Sequence, residues 1–82
     1  MVVRVLYFAG LREAVGTAQE ALELPVHVRT VAALADHLAD RHRGYAERRG
    51  HVRIARNECF AGDADPIADG DVIALIPPVA GG

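Results

Sequence analysis

The sequence predicts an α+β domain: a mixed sheet of four to five strands with one main helix laid on one face. Three observations predict it. Short runs that are β-branched or alternate in polarity recur along the chain at Val2–Phe8, Gln19–Leu24 and His51–Asn57, with an almost wholly apolar run at Val72–Ile76. One run alone, opening at Thr30, carries the spacing of a long amphipathic helix. Finally, 82 residues with 51% hydrophobic composition make one small globular domain, with no repeat, linker or low-complexity tract.

The first strand, Val2–Phe8, alternates Val3, Val5 and Tyr7 against Arg4, Leu6 and Phe8. Arg4 marks the second side as the wetter one, which leaves Leu6 and Phe8 on a face that should be polar. Ala9–Thr17 reads as a turn region punctuated by Gly10 and Gly16, with a single helical turn at Leu11–Val15. Gln19–Leu24 places Leu22 and Leu24 inward and Glu23 outward. Its acids and the closing Pro25 predict an edge strand, paired with the first as a hairpin.

Thr30 is a good N-cap, and Val31, Leu34, Ala35 and Leu38 follow at i, i+3, i+4 and i+7. Arg41, His42 and Arg43 fall in the last turn, at the negative end of the helix dipole, and Gly44 is assigned the C′ position. Tyr45–Gly50 is read as a polar connector with at most a short helical turn. His51–Asn57 is a strand, Glu58–Phe60 a short continuation, and Ala61–Ala68 a loop. Asp69-Gly70-Asp71 is a tight turn. Val72–Ile76 has no residue that favours water and is placed at the centre of the sheet.

One helix covers one face. The other is expected to expose Leu6, Phe8, Phe60 and either Ile76 or Leu75, a grouping that marks a partner surface. The chain ends Pro77-Pro78-Val79-Ala80-Gly81-Gly82. Two prolines stop the strand and stiffen its exit, and two glycines carry no Cβ to obstruct a narrow channel. Fully extended, the six residues reach roughly 19 Å.

Several function classes are disfavoured. A net charge of −2 gives no general attraction to nucleic acid or anionic membrane. No apolar run approaches a membrane span, and no leader is expected at Met1-Val2-Val3-Arg4. The single cysteine, Cys59, fits a reducing compartment; it lacks a CxxC partner and is assigned a structural role. His27, His37, His42 and His51 lack metal-ligand spacing, so no metal site is expected. Six of the nine arginines, Arg41, Arg43, Arg48, Arg49, Arg53 and Arg56, crowd one stretch, read as a solvated face; no lysine is present.

Together these residues resemble the β-grasp (ubiquitin-like) sulfur-carrier family, most of all its molybdopterin synthase small-subunit (MoaD) type. The likeness covers nearly the whole chain. It rests on Val5-Leu6-Tyr7-Phe8-Ala9 leading into Leu11-Arg12-Glu13, on Thr30-Val31 with Ala33-Leu34, on Asp69-Gly70-Asp71, and most specifically on Pro77–Gly82. It implies a domain at residues 1–76 and an extended tail at 77–82. It also implies a cycle in which an E1-like enzyme adenylates the Gly82 carboxylate with ATP and a sulfur donor converts it to a thiocarboxylate. The tail then enters the large subunit of molybdopterin synthase and gives sulfur to a pterin precursor during molybdenum cofactor biosynthesis. In this scheme Gly82 is the reacting residue and Gly81 threads beside it. Phe8, Arg12, Phe60, Ile76, Pro77, Pro78, Val79 and Ala80 meet partners, Arg12 the activating enzyme. No cofactor is held permanently, no catalytic side chain belongs to the carrier, and the setting is cytoplasmic. Alternatives are a carrier for thiamin, cysteine or tRNA thiolation, a ubiquitin-like modifier, and a non-catalytic β-grasp interaction module.

Overall fold

The computed structural model describes residues 1–78. Five strands form one sheet: β1 (Val2–Tyr7), β2 (Gln19–Glu23), β3 (Arg53–Arg56), β4 (Cys59–Phe60) and β5 (Val72–Ile76), in the order β2-β1-β5-β3-β4. The central pair, β1 and β5, is parallel; every other pair is antiparallel. The apolar strand is therefore central and Gln19–Glu23 lies at an edge, as their compositions require.

Parallel register sets Val5 beside Ile73 and Tyr7 beside Leu75, and all four are buried. Helix α2 (Val31–Arg41) lies over that side and buries Val31, Leu34, Ala35 and Leu38. Thr30 caps it, its hydroxyl oxygen accepting from the Ala33 N–H at 3.2 Å. Two further N–H groups of its first turn, those of Val31 and Ala32, donate to the carbonyls of Asp65 and Asp63 at 2.9 and 3.0 Å. The loop before β5 thus satisfies donors that a helix start leaves open, and Ile67 within it enters the core.

The helical layer is larger than the sequence reading allows. Residues Ala9–Val15 form α1, a two-turn helix ended by Gly16 in the left-handed region at φ 95°, where the reading gave one turn. The supposed connector is α3 (Arg43–Arg48) followed by a 3-10 turn (Arg49–His51), and Tyr45 is buried in the core. Gly44 is not a C′ residue. Helix α2 ends at His42 in extended backbone, and Gly44 lies in the first turn of α3. A Cβ there would sit 2.6 Å from the Ala14 carbonyl oxygen and 2.9 Å from the Ala14 Cβ. Close packing of α3 on α1, not backbone conformation, requires the glycine.

The hairpin from β3 to β4 turns through Asn57 and Glu58, both with positive φ (50° and 72°), as in a type I′ turn. Asp71 ties this hairpin to the sheet centre. Its carboxylate, 8% exposed, accepts from Arg56 Nε at 2.8 Å, Asn57 Nδ2 at 2.9 Å and the Ala68 N–H at 2.8 Å. Its carbonyl accepts from the Arg4 N–H at 3.0 Å. Burial alone would raise this carboxyl's pKa, but the hydrogen bonds from Arg56, Asn57 and Ala68 outweigh it and hold the carboxyl below its ordinary value.

A depressed folded-state pKa stabilises above the unfolded value, near pH 4, and that contribution disappears as pH falls through the folded value. Asp71→Asn should lower stability by about 2 kcal/mol at pH 7, with the gap to wild type narrowing below pH about 4; urea unfolding across a pH series measures both. Gly44→Ala should cost about 1–3 kcal/mol by overpacking α3 against α1, read as a lower thermal midpoint.

Candidate functional site: the open sheet face and the exit of the last strand

The side of the sheet away from the helices carries a largely apolar row flanked by Arg4 and Arg53. Register aligns Gln19, Leu6, Ala74, Ala55 and Phe60 in one row across all five strands. Phe60 ends that row 57% exposed, and Val72 on the same face is 37% exposed. Two alanines between Leu6 and Phe60 leave the middle of the row low. Leu75 is fully buried on the helix side, so Ile76, half-buried, is the strand-end residue that shares the open face.

Beside this row, the exit of β5 borders a groove of about 670 Å³. Phe8, Ala9, Gly10 and Leu11 line it from the β1–α1 junction; Arg48, His51 and Val52 from the end of α3 and the turn after it; and Ile76, Pro77 and Pro78 from the strand exit. Ala9 takes the left-handed conformation, φ 51°, to turn the chain from β1 into α1. A non-glycine residue there costs about 1–2 kcal/mol. Phe8, immediately before this turn, is 39% exposed.

Of the expected partner residues, Phe8, Ile76, Pro77 and Pro78 converge on the groove, and Phe60 stands further across the open face. Arg12 is exposed on α1 and does not line the groove. Val79, Ala80, Gly81 and Gly82 lie outside the described residues.

Sequence reasoning missed Glu20. Period-2 alternation puts it on the inward side with Leu22 and Leu24, and an acid there demands partners. Its Oε2 accepts from the Tyr7 hydroxyl at 2.6 Å and lies 2.6 Å from His42 Nε2; its Oε1 accepts from Arg41 Nε and Nη2 at 3.2 and 3.1 Å. Burial would raise its pKa, yet the bonds from Tyr7, His42 and Arg41 hold it below the usual carboxylate range. Burial, with the Glu20 bond added, lifts the Tyr7 phenol far above its ordinary value. The cluster fastens the β1–β2 hairpin to the end of α2, and its phenol stays protonated at neutral pH.

The arginine stretch is largely in solvent, as expected, but most of its members are paired rather than free. Arg41, Arg43, Arg49 and Arg56 pair with Glu20, Glu47, Asp36 and Asp71, and Arg48 donates to the Gly44 carbonyl. Arg53 stacks on Phe60. Cys59 is exposed beside the hairpin turn and packs into no core, so a structural role by burial does not apply. Among the described residues no three metal-ligating side chains converge, and no helix is long and apolar enough to cross a membrane.

A mixed sheet with its first and last strands parallel at the centre, helices on one side and a proline-led exit from the middle strand define a ubiquitin-like β-grasp domain. The chain belongs to the ThiS family, whose model matches residues 5–82. It is 38% identical over 82 residues to the molybdopterin synthase sulfur carrier subunit of Escherichia coli, covering 98% of this chain and 99% of that protein. SAMP1 from Haloferax volcanii shares the fold with a TM-score of 0.86 at 29% identity, over the full length of both chains. A chain from the complex of subunits 1 and 2 of the molybdopterin-converting factor of Helicobacter pylori gives 0.72 at 28%, again over both full lengths.

Proposed function

We propose that this chain is the sulfur carrier subunit of a molybdopterin synthase. The observation that carries the reading is the exit of the central strand through Pro77-Pro78 into a sequence ending Gly-Gly, directly beside an exposed apolar face. Residues 1–76 act as the handle and 77–82 as the reactive tail. The Escherichia coli relative and the two-subunit Helicobacter pylori complex support this assignment and a large-subunit partner.

The chemistry fits such a tail. A terminal carboxylate is ionised at neutral pH and resists nucleophiles. An E1-like enzyme converts the Gly82 carboxylate to an acyl-adenylate with ATP, releasing pyrophosphate. A sulfur donor then displaces AMP and leaves a thiocarboxylate. The docked tail holds that sulfur next to the pterin precursor, so that proximity supplies part of the barrier reduction. Proton transfer and oxyanion stabilisation fall to the partners, since the tail carries no side chain for either. The cycle belongs to the cytoplasm, where ATP is available.

The likeness to SAMP1, the small archaeal modifier protein 1 of Haloferax volcanii, favours a second reading, a protein modifier joined to its targets through Gly82. Mass spectrometry separates the two. After incubation with the activating enzyme, ATP and a sulfur donor, the full chain should become heavier by the oxygen-to-sulfur difference, and a chain lacking Gly82 should remain folded and unchanged in mass. An unchanged full-length chain refutes the carrier reading; isopeptide-linked conjugates establish the modifier.

The open face should carry the docking. Phe8→Ala and Phe60→Ala should each weaken binding to the large subunit by about 2 kcal/mol, as loss of an aromatic anchor does, with little change in folding stability. Titration calorimetry measures the first and thermal unfolding the second.

A further inference from the structure

Arg53 is the unusual residue of the open face. It stands opposite Ile76 across the β3–β5 ladder, two residues along β3 from the row that ends at Phe60 and on the same face. Its guanidinium carbon lies 3.5 Å from the centre of the Phe60 ring, a contact in which a cation is drawn to the ring face. Four of its neighbours in the arginine stretch hold carboxylates, but among the described residues none lies within ion-pair distance of Arg53. Arg4, also on this face, donates to the Gln19 side-chain oxygen at 2.9 Å. The acid that register places on the same side, Glu23, is on β2, three strand spacings or roughly 14 Å from β3.

This arrangement constrains what can cover the face. A partner that buries Phe60 also takes the guanidinium stacked on it out of water. Ring stacking compensates only a small part of the desolvation of a cation. A carboxylate compensates far more, because its two oxygens match the guanidinium fork. We propose that the surface receiving the open face presents a carboxylate to Arg53, so that Arg53 selects the partner by charge while Phe60 anchors it. The proposal rests on the reading that this face docks on the large subunit. It gives that subunit's surface a specific chemistry: an apolar patch that accepts Phe60, with an aspartate or glutamate at its border. The competing role for Arg53 is confined to the free chain, where it shields Phe60 from water and from other copies.

The two roles differ in sign. Arg53→Met retains an apolar stem and removes the charge. If a carboxylate awaits Arg53, the variant strands that carboxylate and binding weakens. If Arg53 only shields Phe60, the variant docks as well as wild type or better. The experiment is calorimetric titration of the full chain against the large subunit from the same source, at low and physiological salt, for wild type, Arg53→Met, Arg53→Lys and Phe60→Ala. Each variant is first shown by circular dichroism to be folded.

The expected result is at least tenfold weaker binding for Arg53→Met, an intermediate value for Arg53→Lys, and a shallower salt dependence for Arg53→Met than for wild type. Unchanged or tighter binding of Arg53→Met, with Phe60→Ala weakened, overturns the charge pairing and leaves the docking face standing. Unchanged binding of Phe60→Ala overturns the docking face and the pairing with it.

Discussion

Arg4 lies beside Val72 and Tyr7 beside Leu75 because β1 and β5 run parallel in the middle of the sheet. Much else depends on that pairing. It sets two apolar strands where both faces need covering, while the helices cover one. It brings Phe8, at the end of β1, level with the exit of β5, so that an exposed aromatic flanks the start of the tail. It also needs a fastening where β5 begins, and the Asp71 carboxylate provides it by joining the β3–β4 hairpin to the loop entering β5.

Strand positions and the main helix were legible in the sequence because their signals are local and strong. Val31, Leu34, Ala35 and Leu38 repeat at helical spacing, and Thr30 caps them. The composition of Val72–Ile76 admits only a central place. The short helices were not legible for a physical reason. Helices of six or seven residues are too short to be stable alone and form because the core holds them. Tyr45 makes α3 part of the fold by being buried, and nothing in the polar residues around it signals that. Gly44 shows a related ambiguity. A glycine after a helix can mean a left-handed residue or a close neighbour, and only the packing against Ala14 distinguishes them.

The candidate site divides in the same way. The open face followed from counting helices against apolar strand residues; Phe60 and Ile76 stand on it, while Phe8 caps α1 and opens onto the groove. Most partners of the arginines did not follow, because those ion pairs join residues far apart in sequence, Arg41 with Glu20 and Arg56 with Asp71; Arg43 with Glu47 is a local pair one helical turn apart. Glu20 carried a signal in its inward position that composition alone obscured. The ionic network ties elements of the domain together.

The contact between Gly44 and Ala14 has an effect beyond local packing. One wall of the groove comes from the β1–α1 junction, the other from the end of α3 and the turn after it. The glycine lets those two walls approach as closely as bare backbone permits. It therefore acts as a spacer of minimum thickness, and the aperture beside the strand exit is gauged at a point that forms no part of its lining. Relatives could widen that aperture by placing a side chain at this one position, with every residue facing a visitor left as it was.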